Sequence, residues 1–114
     1  MRLWVDDERP APDDTWTWAK TADHAYEVWQ NNELTEMSLD HDLGDGGDTR
    51  KLAASILGLA QAGQRRPPRW FVHSANPVGV EHLTSTLERA DHYWRRHMTQ
   101  MHLAMSYGQK PERN

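Results

Sequence analysis

Three short stretches concentrate residues able to do acid–base or metal chemistry: DDE (6–8), EMSLDHDLGDGGD (36–48) and HSANP (73–77). The middle one sets Glu36, Asp40, Asp42, Asp45 and Asp48 around His41 and three glycines. Carboxylates gathered this closely repel one another, and burial adds to the cost, unless a cation or bound protons relieve it. A divalent ion with oxygen ligands is the simplest relief. Mg²⁺, or Mn²⁺ in its place, asks for only one or two carboxylates plus waters and a substrate phosphate. Asp6, Asp7 and Asp40 can supply them. Asp45 and Asp48 are read instead as turn and cap residues, because GDGGD has the chemistry of a glycine-rich loop leading into a helix.

HSANP adds what the acids lack. His73 can transfer a proton, Ser74 and Asn76 can hydrogen-bond phosphate oxygens, and a helix N-terminus, favourable to an anion, follows at once. Arg9 is a further candidate for orienting phosphate oxygens. His41 competes with His73 for the proton-transfer role, since it lies between Asp40 and Asp42; alternation along an extended chain turns it away from them and favours His73. Two other metal motifs fail on spacing. A calcium loop starting at Asp40 needs glycine where Asp45 stands and an acid where Lys51 stands. The His41-Asp42 pair of helical phosphohydrolases lacks further ligands on helices. His24, His82, His92, His97 and His102 fall on expected helices without a ligand set and are read as surface or packing residues.

The elements that must position these residues follow from periodicity. RLWV (2–5) is a strand that stops in charge, ERPAPDD (8–14) is loop, and TWTWAKT (15–21) alternates aromatic and polar residues as an edge strand does. Thr21 caps a helix with Ala22, Ala25, Tyr26 and Trp29 on one face, ending near Asn31-Asn32, where a left-handed residue is tolerated. TEMSLD (35–40) is a third strand. From Asp48 or Thr49 a second helix carries Leu52, Ala53, Ile56, Leu57 and Ala60 on its apolar stripe, and Gly63 ends it. RWFVHS (69–74) reads as a fourth strand buried on both faces. Asn76-Pro77 opens a third helix, one long or two broken near Ala90-Asp91, whose stripe runs on through Trp94, Met98, Met101 and Met105. The residues SYGQKPERN (106–114) are expected to fray.

This order implies an α/β domain with a mainly parallel sheet, in which ligands bind outside the carboxyl ends of the strands. The acidic and histidine-bearing exits then meet at one rim. At 114 residues the chain fits one compact unit, with residues 1–90 as the α/β domain and 91–114 as a C-terminal helical extension and tail within it. It has no cysteine, so neither disulfides nor thiolate metal sites arise. A formal net charge of -4 argues against a duplex-DNA binder, and the basic runs RRPPR and WRRH are read as solvated surface. With no apolar run for a signal peptide or membrane span, the expected setting is cytoplasmic, without membrane partners. The methionine stripe is too apolar to stay exposed, so it should pack on the sheet edge or build a homo-oligomer.

LWVDDERPAP (3–12), WTWAKT (16–21), SLDHDLGD (38–45) and VHSANPVG (72–79), in that order, resemble the cyclic-phosphate-processing receiver-like domain, a divergent branch of response-regulator receiver domains. The resemblance implies a receiver-like three-layer α/β/α fold, reduced here to about four strands, and a role in handling cyclic phosphates on RNA ends or nucleotides. It matches Asp6 and Asp7 to the acidic pair of a receiver's first strand, Asp40 to the phosphoacceptor aspartate, and Ser74 to the hydroxyl residue of a later strand. A signalling receiver also needs a lysine after a fifth strand, yet none occurs between Lys51 and Lys110. A full helix between the first two strands is missing too. Aspartyl phosphotransfer is therefore disfavoured. The expected activity is metal-dependent hydrolysis of a cyclic phosphate on an RNA end or small nucleotide; the alternative is a non-catalytic module that binds a cyclic nucleotide or a protein partner.

Overall fold

The computed structural model describes residues 1–108. Strands β1 (Arg2–Val5) and β2 (Trp16–Ala19) are followed by helix α1 (Ala22–Asn31), strand β3 (Glu36–Leu39), helix α2 (Arg50–Gln61), strand β4 (Arg69–Val72) and helix α3 (Pro77–Gly108), and a 3₁₀ turn covers Gly44–Gly46. The strands form one sheet in the order β2-β1-β3-β4, with every pairing parallel. This is a receiver-like α/β fold.

Period two decides which face each strand side chain joins. Leu3 and Val5 of β1 and Met37 and Leu39 of β3 are fully buried, and they share one core with Ala25, Val28 and Trp29 of α1, Leu52, Ala53, Ile56 and Ala60 of α2, and Leu83, Leu87 and Ala90 of α3. All three helices therefore cover the same face. Chirality explains why. A right-handed crossover from β1 outward to β2 must run over the face opposite to the crossovers that step from β2 to β3 and from β3 to β4. Here that first crossover is the helix-free segment from Asp6 to Thr15, held against its face where Trp4 Nε1 donates to the Arg9 carbonyl (2.8 Å) and Arg2 Nη1 to Thr15 Oγ1 (2.6 Å). It takes the place of a helical layer.

Local expectations are met at most element ends. Thr21 caps α1, its Oγ1 accepting from His24 N at 3.1 Å, and Gly63 stops α2 with φ +70°. Asn32 after α1 is extended rather than left-handed, and its side-chain amide donates to the Val28 carbonyl instead. The other departures concern β4 and α3. β4 is an edge strand, with Phe71 42% exposed, so it is not buried on both faces. The third helix is continuous through Ala90-Asp91 and still helical at Ser106–Gly108; residues 109–114 of the expected tail lie outside the described residues. Its 32 residues span about 48 Å. The first two thirds of it, up to His97, pack on α2, whereas Met98 (47%), Met101 (46%), Leu103 (49%) and Met105 (64%) are exposed beyond it and not packed on the sheet edge. Among the described residues no helix is long and apolar enough to cross a membrane.

Candidate functional site

The ladder continues one residue past β1, β3 and β4. Asp6 N bonds the Ala19 carbonyl (3.1 Å), Asp40 N the Val5 carbonyl (2.9 Å) and His73 N the Leu39 carbonyl (2.9 Å). Alternation then sends the side chains of Asp6, Asp40 and His73 to the face of Trp4, Ser38 and Phe71, away from the helices. One carboxylate oxygen each from Asp6, Asp7 and Asp40 lies within 4.8 Å of the others. The strand exits do meet at one rim.

The three carboxylates differ in how they are held. Asp6 is 1% exposed; its Oδ1 accepts the backbone N–H groups of Glu8 and Arg9, both at 2.8 Å, and its Oδ2 lies 3.0 Å from His73 Nε2. Burial pushes the Asp6 carboxyl up, but the Arg9 and Glu8 amides and His73 outweigh it, leaving it below the ordinary 3.8. Asp6 is thus a fixed anion. Asp7 and Asp40 are half-buried, and among the described residues their carboxylates have no hydrogen-bond partner. Gly44 approaches Asp7 so closely, at φ +57°, that a Cβ there would lie 3.1 Å from Asp7 Oδ2.

His73 is bound on every side. Its ring stacks on Trp4 with centroids 4.0 Å apart and planes 8° from parallel, and its Nδ1 lies 2.6 Å from Ser38 Oγ. Desolvation pushes its pKa below 6.5, against the pull of Asp6, so the ring is neutral near pH 7. A carboxylate only accepts, so the network assigns the ring proton to Nε2, facing Asp6, and makes Nδ1 the acceptor of the Ser38 hydroxyl. Serine, histidine and aspartate in a row suggest a nucleophilic triad, but Ser38 is 5% exposed beneath the imidazole. No substrate atom reaches it. Ser38 and Trp4 anchor His73, and neither stands out by residue type; the signal is their position, two residues before Asp40 and Asp6.

The other candidates sit nearby in different roles. Asn76 Oδ1 caps α3 by accepting from Val78 N (3.1 Å) and Gly79 N (3.2 Å), while its Nδ2 donates to Asp42 Oδ2 (3.0 Å). Ser74 Oγ accepts from Asn76 N at 3.1 Å. His41 points its Nδ1 at Asp42 Oδ1 (3.0 Å), its side chain only 12% exposed, because Gly79 leaves it room: a Cβ there would lie 2.4 Å from the ring. Its hydrogen bond thus runs to Asp42, outside the Asp6-Asp7-Asp40 cluster. Arg9 is pinned by its main chain to Asp6 and Trp4, with its side chain exposed and its charge near enough to disfavour protonation of His73. Asp48 Oδ1 accepts from Arg50 N (3.0 Å) at the start of α2, while Thr49 turns its hydroxyl to the Asp40 carbonyl (2.9 Å). A cleft of about 910 Å³ lies at the far end of the sheet, among Arg65, Arg66, Arg69, Trp70 and Trp94, remote from this chemistry.

A family model described as the cyclic-phosphate processing receiver domain matches residues 1–89, most of the chain. The chain belongs to this family. The match to the cyclic-phosphate processing receiver domain takes in all four strands and every rim residue, and stops partway along α3. No curated protein and no solved structure matches the chain. The family's description links it to cyclic-phosphate processing.

Proposed function

We propose that this domain hydrolyses a cyclic phosphate, on an RNA end or a cyclic nucleotide, with a divalent metal held at the rim. The observation that carries the reading is the convergence of Asp6, Asp7 and Asp40, with two of the three carboxylates unpartnered among the described residues. The donor set suits Mg²⁺ or Mn²⁺: hard oxygens, one of them on a residue already oriented by amides and an imidazole. Asp7 and Asp40 would be the principal ligands and Asp6 the fixed one. Such an ion, when bound, supplies charge to polarise the phosphate and lowers the pKa of a water.

The chain's own residues divide the remaining work. His73, through Nε2–H, keeps one lobe of Asp6 in place, and transfers a proton only if substrate displaces Ser38 or Asp6 from its ring. His41 is the alternative proton carrier, with a ring nitrogen other than the one facing Asp42. Arg9 reaches a phosphate oxygen from the loop; the first turn of α3, beside Ser74 and Asn76, faces it from the other side. The proposed setting is the cytoplasm, and duplex DNA is not expected to bind.

A second reading has an observation of its own. Both His73 nitrogens and both ends of the Asn76 amide are already engaged, which suits a non-catalytic module that binds a cyclic nucleotide or a protein partner. Purified protein incubated with RNA bearing a 2′,3′-cyclic phosphate, and with cyclic nucleotides, with and without Mg²⁺ or Mn²⁺, separates the two. Metal-dependent product from the wild type and none from Asp40→Asn is the expected result. Binding without product moves the assignment to the module, and neither binding nor product removes both.

A further inference from the structure

The helix-free face of the sheet carries aromatic side chains that the rim chemistry does not use. Two rows cross it in register: Trp18, Trp4, Ser38, Phe71 and, beside it, Trp16, Arg2, Glu36, Arg69. Phe71 is 42% exposed, and Trp16 and Trp18 are half-buried. Each of these three rings has a cation on it. The Arg2 guanidinium lies 4.0 Å from the Trp16 centroid, Lys20 Nζ 4.4 Å from that of Trp18, and the Arg69 guanidinium 5.3 Å from that of Phe71. The acid among them, Glu36, is already paired with Arg2 at 2.7 Å.

We propose that this face binds single-stranded nucleic acid, its bases stacking on Trp16, Trp18 and Phe71 and its phosphates pairing with Arg2, Lys20 and Arg69. Aromatic rings alone would equally suit an apolar protein surface. The pairing of each of these three rings with a cation is what selects the ligand, because each nucleotide presents one flat base and one phosphate. Around the three rings, three cations face one acid, Glu36, which pairs with Arg2 and lies 3.9 Å from Arg69, while Asp6 and Asp40 share the face at its rim end. A phosphate draws each cation off its ring as a base takes its place. Duplex is a poor ligand, since its bases are already stacked on one another.

The face also runs into the rim. Trp4, at its centre, carries His73 on its ring, and His73 touches Asp6. A strand lying across the face therefore leads its terminal phosphate toward Asp7 and Asp40. That second step rests on the cyclic-phosphate reading; the platform does not.

The test uses the full chain and a fluorescent short oligoadenylate ending in a plain 3′-hydroxyl, in EDTA, so that neither metal nor cyclic phosphate takes part. Anisotropy should show saturable binding with quenching of tryptophan emission, weakened about five-fold or more in Phe71→Ala. The conservative Phe71→Tyr should bind as wild type, and Lys20→Gln should lower the salt dependence. RNA and DNA arms distinguish which strand the face prefers. Absence of binding, equal binding of a duplex, or Phe71→Ala binding like wild type would overturn the proposal. So would concentration-dependent self-association abolished by Phe71→Ala in the absence of any oligonucleotide binding, which assigns the face to a second copy. Turnover of a cyclic phosphate without oligoadenylate binding removes the platform alone; oligoadenylate binding without turnover removes the hydrolase alone.

Discussion

Replacing His73 by glutamine tests whether the imidazole is a neutral brace for Asp6. The wild-type ring stacks on Trp4, accepts from Ser38 at 2.6 Å and donates to Asp6 at 3.0 Å. A stacked pair contributes about 0.5–1.5 kcal/mol, a neutral hydrogen bond about 1, and one to a charged group about 1.5–3. Glutamine restores part of this, and the 16% exposure of the His73 side chain lets water restore more. A net loss of about 2 kcal/mol remains, or roughly 8 °C in melting temperature for a domain of this size. The pH dependence is the sharper readout. The folded pKa of His73 lies below the 6.5 it has when free, so between those values the unfolded chain binds more protons than the folded one. Its contribution to stability is therefore complete above 6.5 and declines on acidification toward the folded value. Asp6, depressed below 3.8, contributes stability that is present above 3.8 and lost as pH falls through its folded pKa, a separate and more acidic window. Urea denaturation at a series of pH values should show wild type losing stability below 6.5 more steeply than His73→Gln. A variant with the wild-type slope through that window, or with wild-type stability throughout, refutes the brace. Titration calorimetry on the same variant should also show Mg²⁺ or Mn²⁺ affinity reduced about 10–100-fold, the cost of loosening a ligand through its neighbour.

Asn76→Ala removes two amide acceptor contacts at the start of α3 and the bond to Asp42, and should lower stability by about 1–2 kcal/mol in denaturant titrations. Gly44→Ala places a Cβ 3.1 Å from Asp7 Oδ2 at φ +57°; thermal melts should show about 1–2 kcal/mol of destabilisation, together with weaker metal binding. Asp40→Asn relieves like-charge repulsion and should leave the melting temperature equal or higher while metal affinity falls in a calorimetric titration. Met98, Met101 and Met105 are exposed at helical spacing beyond the packed part of α3, and we propose that they pair two chains; sedimentation should report a dimer that Met101→Glu dissociates.

Seven of the eight rim candidates fall within three short stretches of sequence, with Arg9 one residue past the first, and those stretches were legible because each combines an extended apolar run with an abrupt stop in charged or polar residues. The same rule located β1, β3 and β4; period-two alternation located β2, and the Thr21 cap with the apolar spacing after it located α1. Where it failed, the cause was lateral order. RWFV is apolar enough for a central strand, but nothing within those residues says that no fifth strand pairs with it, so the exposure of Phe71 was invisible. The Trp4–His73 stack and the Ser38 anchor depend on the register between strands, which single-strand periodicity does not carry. Asn76 illustrates a third limit: its type fits both a cap and a phosphate contact, and only the positions of Asp42 and Gly79 reveal how fully its amide is engaged.

The absence of a helix between β1 and β2 has consequences at the rim as well as on the helix-free face. A crossover of only the residues from Asp6 to Thr15 cannot travel far from the sheet, and it turns back at once: Asp6 Oδ1 collects the amides of Glu8 and Arg9, and the Arg9 carbonyl takes the Trp4 indole. The turn therefore fixes Asp6 as an anion and delivers Arg9 beside it. Asp7 and Asp40, the two carboxylates the turn does not engage, retain their mutual repulsion, which is the free energy a cation can recover on binding. If that is its origin, metal affinity should follow the charge at Asp7 and Asp40 more steeply than the geometry at Asp6. The double variant Asp7→Asn, Asp40→Asn should then be no less stable than wild type and lose metal binding altogether, with the Asp6–His73 pair intact and the His73 pKa pushed further down by loss of the Asp40 charge. A double variant that still binds Mg²⁺ or Mn²⁺ at wild-type strength would place the ion elsewhere.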